Sequence, residues 1–322
     1  MSLTPQTDTA NAARVVIAGG SGFLGRHIAT ALRAASFDVT VLTRGPQTTA
    51  DDGSRRVNWN PLSVGAWASH LEGAAAVINL CGESIAGPRW TQRRKAVLLE
   101  SREVPTRTLI DSINRCQRPP ATLLQASGVG YVGTGDAELD ETASVGRDFL
   151  AELAWAWERP LTELTIPSAT LRFGVVLGRD GGALPPMVRP FRWFAGGPIA
   201  SGEQWLSWIH IDDVTGAVQH VLDHAMTGPI HVTSPTPVRN QEFAQALGKV
   251  LRRPSCARLP RAALELLLGE QATLICDGQR ALPRRLLTAG YRFRHPTLEH
   301  ALRDLLLTIE STNGNERDNR FQ

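Results

Sequence analysis

Short apolar runs closed by glycine alternate with longer segments of helical periodicity over the first half of the chain. Arg14 to Gly20 reads R-V-V-I-A-G-G, a run suited to a strand buried on both faces. Phe23 to Ala35 follows with apolar residues at helical spacing, and Asp38 to Arg44 (D-V-T-V-L-T-R) predicts a second strand. Further strands are expected at Ala75 to Gly82, Thr122 to Gly128 and Ala169 to Leu177. Arg93 to Cys116 has a helical pattern. Pro105 should kink or interrupt it, because proline lacks the amide hydrogen and its ring clashes with the preceding turn. Strands alternating with helices predict an α/β fold, a Rossmann-type doubly wound parallel sheet with right-handed crossovers. Ligands then sit at the carboxyl ends of the strands.

Beyond Gly178 the pattern changes. Gly181-Gly182, Pro185-Pro186 and Gly196-Gly197-Pro198 mark a loop-rich excursion. Ser207 to Val214 (S-W-I-H-I-D-D-V) predicts a strand entering a helix capped by Asp212 or Asp213, and Ile230 to Thr233 predicts a further strand. Helical stretches near 240–251, 261–268 and 297–308 complete the pattern. The expected organisation is a dinucleotide-binding domain over 13–178 and 205–235, with a smaller, mostly helical substrate lobe over 179–204 and 236–310. Residues 1–12 and 311–322 are expected to form a disordered leader and tail.

The junction of the first strand and helix carries candidate chemistry. Gly19, Gly22 and Gly25 punctuate G-G-S-G-F-L-G. The first glycine permits a tight turn, the second lets the backbone approach a pyrophosphate, and the third lets the helix pack on the strand. Amides freed at the helix start then face the phosphates. Gly19, Ser21, Gly22, Phe23, Leu24 and Gly25 are therefore candidate cofactor contacts. A ligand-free glycine turn is the alternative, and the orderly succession of strand, loop, helix and strand weighs against it. NAD-binding chains place an Asp or Glu about 20 residues past this loop to hold the ribose 2′-hydroxyl. Here Thr43-Arg44 stands in that place, and no carboxylate occurs between Asp38 and Asp51. A guanidinium matches a 2′-phosphate in charge and geometry. The expected cofactor is therefore NADP(H), with Arg26 in reach to assist; otherwise Arg44 is a solvated strand-end charge.

Composition narrows the partners. The 322 residues carry a net charge of +3 that no stretch concentrates, which argues against a nucleic-acid surface. No apolar run approaches the ~20 residues that span a bilayer. The four cysteines, Cys81, Cys116, Cys256 and Cys276, form no C-x-x-C pair. A disulfide framework or zinc site is not expected, and a reducing, cytoplasmic setting fits. The expected partner is a small-molecule substrate, and a homodimer is left open.

The segments VVIAGGSGFLG, VINLCGESI with RW shortly after, SREVPTRTL, SGVGYVG, LRFGVVLGRDGGAL, GGPIASGEQWLSWIHIDDV and HVTSPTPVRNQEFA run in order along nearly the whole chain. Together they resemble the extended short-chain dehydrogenase/reductases. More closely, they resemble the atypical branch called epimerase family proteins, akin to NAD(P)-dependent sugar-nucleotide epimerases. The resemblance implies an NADP(H)-binding fold and no particular substrate. It also reveals a departure. The superfamily's usual Tyr-x-x-x-Lys pair exchanges a proton with the substrate oxygen. Here Tyr131 is followed four residues on by Gly135, and Tyr291 by His295. The superfamily position falls near Phe149-Leu150, with neither phenol nor lysine.

Other residues could carry the chemistry. Ser127 ends a strand on the expected cofactor face, where it either meets a substrate hydroxyl or bonds backbone. Tyr131, on the following loop, is a candidate proton donor or a packed aromatic. Cys81, Gly82 and Glu83 should line the cofactor ribose, and Phe173 the same face. Glu83 is either a general base or a helix-start charge. Lys95 and Arg102 lie seven apart on one helix face. They suit an anionic substrate if they face the cleft, and are surface charges if not. Gln204, Trp205 and Trp208 are expected at the mouth of the substrate pocket; Trp90, Trp155 and Trp157 are expected in core or surface packing. His210 is expected to bond structurally and Asp213 to cap a helix. The expected activity is that of an NADP(H)-dependent oxidoreductase or epimerase on a small polar compound. The alternative is a non-catalytic protein that senses NADP(H), or, further off, a scaffold subunit.

Overall fold

The computed structural model describes residues 12–49 and 53–307. The expected tail, and the leader apart from Ala12, lie outside the described residues. The strands are β1 (Arg14–Ala18), β2 (Asp38–Thr43), β3 (Thr48–Thr49), β4 (Arg55–Asn58), β5 (Ala76–Asn79), β6 (Leu123–Gly128), β7 (Gly135–Leu139), β8 (Ser168–Phe173), β9 (Val175–Leu177), β10 (Trp205–Leu206), β11 (Trp208–His210), β12 (Gly228–Val232), β13 (Val238–Arg239) and β14 (Gln279–Ala281). The helices are α1 (Phe23–Ala34), α2 (Gln92–Asn114), α3 (Phe149–Glu158), α4 (Leu184–Arg192), α5 (Ile211–Asp223), α6 (Asn240–Leu251), α7 (Arg261–Leu268), α8 (Thr273–Cys276), α9 (Arg284–Thr288) and α10 (Leu298–Leu307).

Eight strands form one sheet in the order β12-β8-β6-β5-β1-β2-β4-β3. Every neighbouring pair is parallel except β3 with β4. Val15, Val16 and Ile17 of β1 are wholly buried, because layers of helices cover both faces. On one face Ile28 and Leu32 of α1 join Val214 and Val218 of α5, Phe243 and Leu247 of α6, and Leu302 of α10. The C-terminal helices α6 and α10 thus share a core with the first helix. On the other face Leu109 and Ile113 of α2 pack with Trp67 and Leu71. Each fully buried large aliphatic side chain contributes about 2 kcal/mol, so packing rather than capping holds α1, whose start has no side-chain cap. β2 and β5 flank β1 on opposite sides. The sheet's direction of growth reverses there, which opens a crevice at the carboxyl end of β1.

The structure corrects several expectations. α2 runs unbroken through Pro105. Leu98 before the proline and Leu109, Ile110 and Ile113 after it are all buried, and Thr106 Oγ1 donates to the Arg102 carbonyl at 2.7 Å. One missing amide costs less than that packing supplies. The single strand expected over Ala169 to Leu177 is two. β8 stays in the main sheet while β9 pairs with β11, and a Cβ on Gly174 would lie 2.3 Å from the Ser207 carbonyl oxygen. The loop-rich excursion contains α4, which has prolines in its first turn, where no amide partner is lost. Helix α3 also interrupts a segment in which the pattern suggested none. α5 is capped by neither aspartate: His210 is the N-cap, and its Nδ1 accepts from the Asp212 amide at 3.0 Å. Asp213 is buried instead, accepting from the amides of Arg294 (2.7 Å) and His295 (2.9 Å). No described helix is long and apolar enough to cross a membrane.

Candidate functional site

The glycine loop joins β1 to α1 at the crevice. Gly19 has φ of 75°, and a Cβ there would lie 2.8 Å from the carbonyl carbon of Leu80. A Cβ on Gly25 would lie 2.4 Å from Gly20 Cα, so α1 rests directly on the turn. Gly22 differs: a Cβ there meets nothing closer than the Gly19 oxygen at 3.5 Å. Among the described residues no other atom beyond its chain neighbours lies within 4 Å of that position. Gly22 is also the N-cap of α1, where no side chain caps and the first turn holds no acid. The positive end of the helix is therefore not neutralised from within, the condition for holding an anion. Phe23 turns its ring the other way. Cβ atoms on Gly178, Gly181 and Gly182 would lie 2.4, 2.4 and 3.0 Å from its ring carbons. The paired glycines at 181–182 thus close around Phe23, leaving its backbone to the crevice. Arg26 donates to the Ser21 carbonyl at 3.1 Å and pairs with Asp180 at 3.7 Å; it braces the loop.

Arg44 follows β2 and is exposed. Asn58 Nδ2 donates to the carbonyls of Arg44 (3.3 Å) and Gly45 (2.8 Å), which fixes the backbone. Among the described residues the guanidinium has no hydrogen-bond or ion-pair partner. Cys81 lies within its field. Burial pushes the Cys81 thiol up to about 12, with the Arg44 charge pulling the other way. At the ends of β5 and β6, Asn79 Nδ2 donates to Thr106 Oγ1 and Gln125 Oε1, both at 2.9 Å. Asn79 Oδ1 accepts from the Cys81 amide at 3.1 Å. This buried chain sets the 81–83 backbone. Its sequence signal was two amide side chains inside apolar runs.

The cations of α2 do not form a shared open face. Lys95 Nζ is 2.6 Å from Glu270 Oε1 and lies 4.6 Å from the centre of the Phe149 ring. Arg102 is buried. Its guanidinium carbon lies 3.2 Å from where a Cβ on Gly82 would stand, and 4.7 Å from the Trp157 ring centre. Burial lowers the Arg102 guanidinium to about 10, with Glu83 opposing. Glu83 itself is exposed and 3.8 Å from Arg94 Nη1.

Ser127 stands at the end of β6, as expected. It is 3% exposed, and its Oγ donates to Glu158 Oε1 at 2.6 Å. Glu158 is gripped by Arg172 through Nε at 2.9 Å and Nη2 at 2.8 Å. The Arg172 guanidinium lies 3.4 Å from the centre of the Tyr131 ring. The Ser127 proton is committed to this network, whereas the half-buried Tyr131 hydroxyl has no hydrogen-bond partner among the described residues. Phe173 is buried at the end of β8. Trp208 is wholly buried and donates to the Thr236 carbonyl at 2.9 Å. Gln204 donates to the carbonyls of Ile199 (3.1 Å) and Ile275 (2.9 Å). Trp208 is therefore a packing residue rather than part of a pocket mouth, and the half-buried Gln204 side chain is held by backbone acceptors. His210 bonds structurally, as expected.

A glycine turn, an uncapped helix and a strand-end crevice together define a doubly wound α/β protein of the dinucleotide-binding type. Residues 15–149 match the model of the NAD dependent epimerase/dehydratase family, and 259–305 match a domain of unknown function. The epimerase family protein YfhF of Bacillus subtilis is 38% identical over 299 residues, covering 91% of this chain and 97% of the relative. The human epimerase family protein SDR39U1 is 36% identical over 301 residues, covering 91% and 99%. A crystal structure of that human protein with NADPH superposes with a TM-score of 0.82 at 35% identity, covering 91% of this chain and 98% of that one. The chain belongs to the epimerase family proteins.

Proposed function

We propose that this chain is an NADP(H)-dependent oxidoreductase or epimerase acting on a small polar carbonyl or hydroxyl compound. The observation that carries the proposal is Arg44: an exposed guanidinium, unpartnered among the described residues, on a fixed backbone at the crevice. The NADPH in the crystal structure of the human relative supports it. The amides at the start of α1 would hold the pyrophosphate, and Arg44 the 2′-phosphate. When bound, the nicotinamide supplies hydride transfer. Of the two candidate proton donors, Tyr131 keeps the role, since its hydroxyl is not already committed to a carboxylate as that of Ser127 is.

Calorimetric titration tests the cofactor. NADPH should bind more tightly than NADH. A charged hydrogen bond contributes about 1.5–3 kcal/mol, so Arg44→Ala should weaken NADPH roughly tenfold to a hundredfold and NADH less than about twofold. Equal weakening of both would remove the 2′-phosphate role.

A non-catalytic NADP(H) sensor is the second reading. It is favoured by Phe149, which opens α3 and packs at 5.0 Å against Trp90, near the position expected for the superfamily tyrosine. Carbonyl compounds screened for NADPH oxidation separate the two readings. Tight binding without turnover favours the sensor.

A further inference from the structure

Away from the crevice, four side chains from four segments converge. His210 ends β11, Asp212 lies in the first turn of α5, His295 precedes α10, and Asp304 lies on α10. One donor atom from each falls within 4.8 Å of all the others. His210 Nε2 is 3.3 Å from Asp304 Oδ2, and His295 Nε2 is 3.8 Å from Asp212 Oδ2. A tetrahedral ion with bonds of about 2.0–2.1 Å keeps its ligand atoms ~3.4 Å apart, so these donors need only small shifts to close on one.

We propose that Asp212, His295 and Asp304 bind a divalent zinc-like metal ion, with His210 as the supporting donor to Asp304. The tautomer of His210 assigns its part. Its Nδ1 accepts from the Asp212 amide, so in the neutral ring the proton is on Nε2, which cannot also ligate a metal. That Nε2 is buried, makes no hydrogen bond among the described residues and lies 3.3 Å from Asp304 Oδ2. This is the position of the outer partner that orients a metal-bound carboxylate. The two imidazoles stack at 3.7 Å with 20° between planes.

The other groups fit the same picture. The buried Asp213 carboxylate accepts from the amides of Arg294 and His295, which fixes the segment presenting the His295 ring. His300 stacks on the outer side of His295 at 4.7 Å. Asp212 is 48% exposed and Asp304 41%, so water can complete the coordination. One imidazole with two carboxylates suits zinc or manganese better than magnesium or calcium. The ion would clip α10 and the segment before it onto the starting turn of α5. It would be a structural site, apart from the hydride chemistry.

The test is calorimetry with zinc on the full chain after chelator treatment, with Cys256→Ser as background to remove an exposed thiol. The expected result is one zinc ion per chain and a melting midpoint raised by about 5 °C in excess zinc. Magnesium should bind at least tenfold more weakly. Asp304→Asn and, separately, His295→Gln should each weaken zinc at least tenfold. Circular dichroism shows whether each variant is folded; Asp304→Asn changes an exposed group and keeps its shape. No zinc binding by the parent chain, or undiminished binding by folded Asp304→Asn, overturns the proposal.

Discussion

His231 shows how one side chain can set the response of the protein to acid. It is buried on β12, Nδ1 faces the Leu282 carbonyl at 3.1 Å, and Nε2 has no partner. Burial, reinforced by Arg172, pushes its imidazole down to about 4. An unfolded histidine titrates near 6.5, so acid favours the unfolded chain. The stabilisation from keeping this ring neutral is complete above about pH 6.5 and is lost as the pH falls through 4, a change of about 3 kcal/mol. Glu141, raised by its own burial, acts in the opposite sense. His231→Gln should therefore flatten the fall of the urea midpoint between about pH 6.5 and 4. An unaltered slope would show that another group controls the acid limb. Residues of this kind were hard to read in the sequence. The placement of Gly19, Gly22, Gly25 and Arg44 at the turn and strand end was legible because it depends on local spacing. The Ser127–Glu158–Arg172 network was not, because its members come from separate elements and only folding joins them. Lys95 and Arg102 were left open between cleft and surface for the same reason: their spacing fixes a helix face, but their surroundings depend on Glu270 and Gly82.

At the scale of elements, the turn from β1 to α1 separates two uses of glycine. Gly25 is where α1 touches the turn, so Gly25→Ala should lower the melting midpoint by several degrees. Gly22 has room for a Cβ in the folded protein, on the side where the proposed pyrophosphate would lie. Gly22→Val should melt within about 2 °C of the parent and yet lose dinucleotide binding in calorimetry. A Gly22→Val protein that still binds NADPH would disprove the pyrophosphate contact. The buried parallel strands were legible because each is a short apolar run between glycines. α3 and the two-residue strands were not, since their patterns are too short to separate helix, strand and loop. That α2 is not interrupted at Pro105 has a physical cause. A proline removes one hydrogen bond, while α2 buries apolar residues on both sides of it.

For the molecule as a whole, polar contacts join the C-terminal segment to the loop after β5 and to the first turn of α2. Lys95 and Glu270 form an ion pair, and Gln271 Nε2 donates to the carbonyls of Ile85 (3.1 Å) and Gly87 (3.2 Å). The Glu270 side chain is 48% exposed, and such pairs contribute about 0.2–1 kcal/mol. Gln271 is buried, and each of its two hydrogen bonds contributes about 0.5–1.5 kcal/mol. Thermal melts should therefore show Gln271→Ala losing more than Lys95→Met. The reverse order would assign the joint to the ion pair. The alternation of strands and helices gave the architecture in advance. The sharing of one core by α1, α6 and α10 could be learned only from the assembled chain.

The clasp of Gly178, Gly181 and Gly182 around Phe23 constrains how this chain can vary. A larger residue at any of the three positions collides with an aromatic ring rooted in the loop proposed to grip the diphosphate. A smaller residue at 23 would leave that ring's berth hollow. These four positions must change together or stay as they are, so the freedom usual in a surface turn is denied here by a residue more than a hundred positions away.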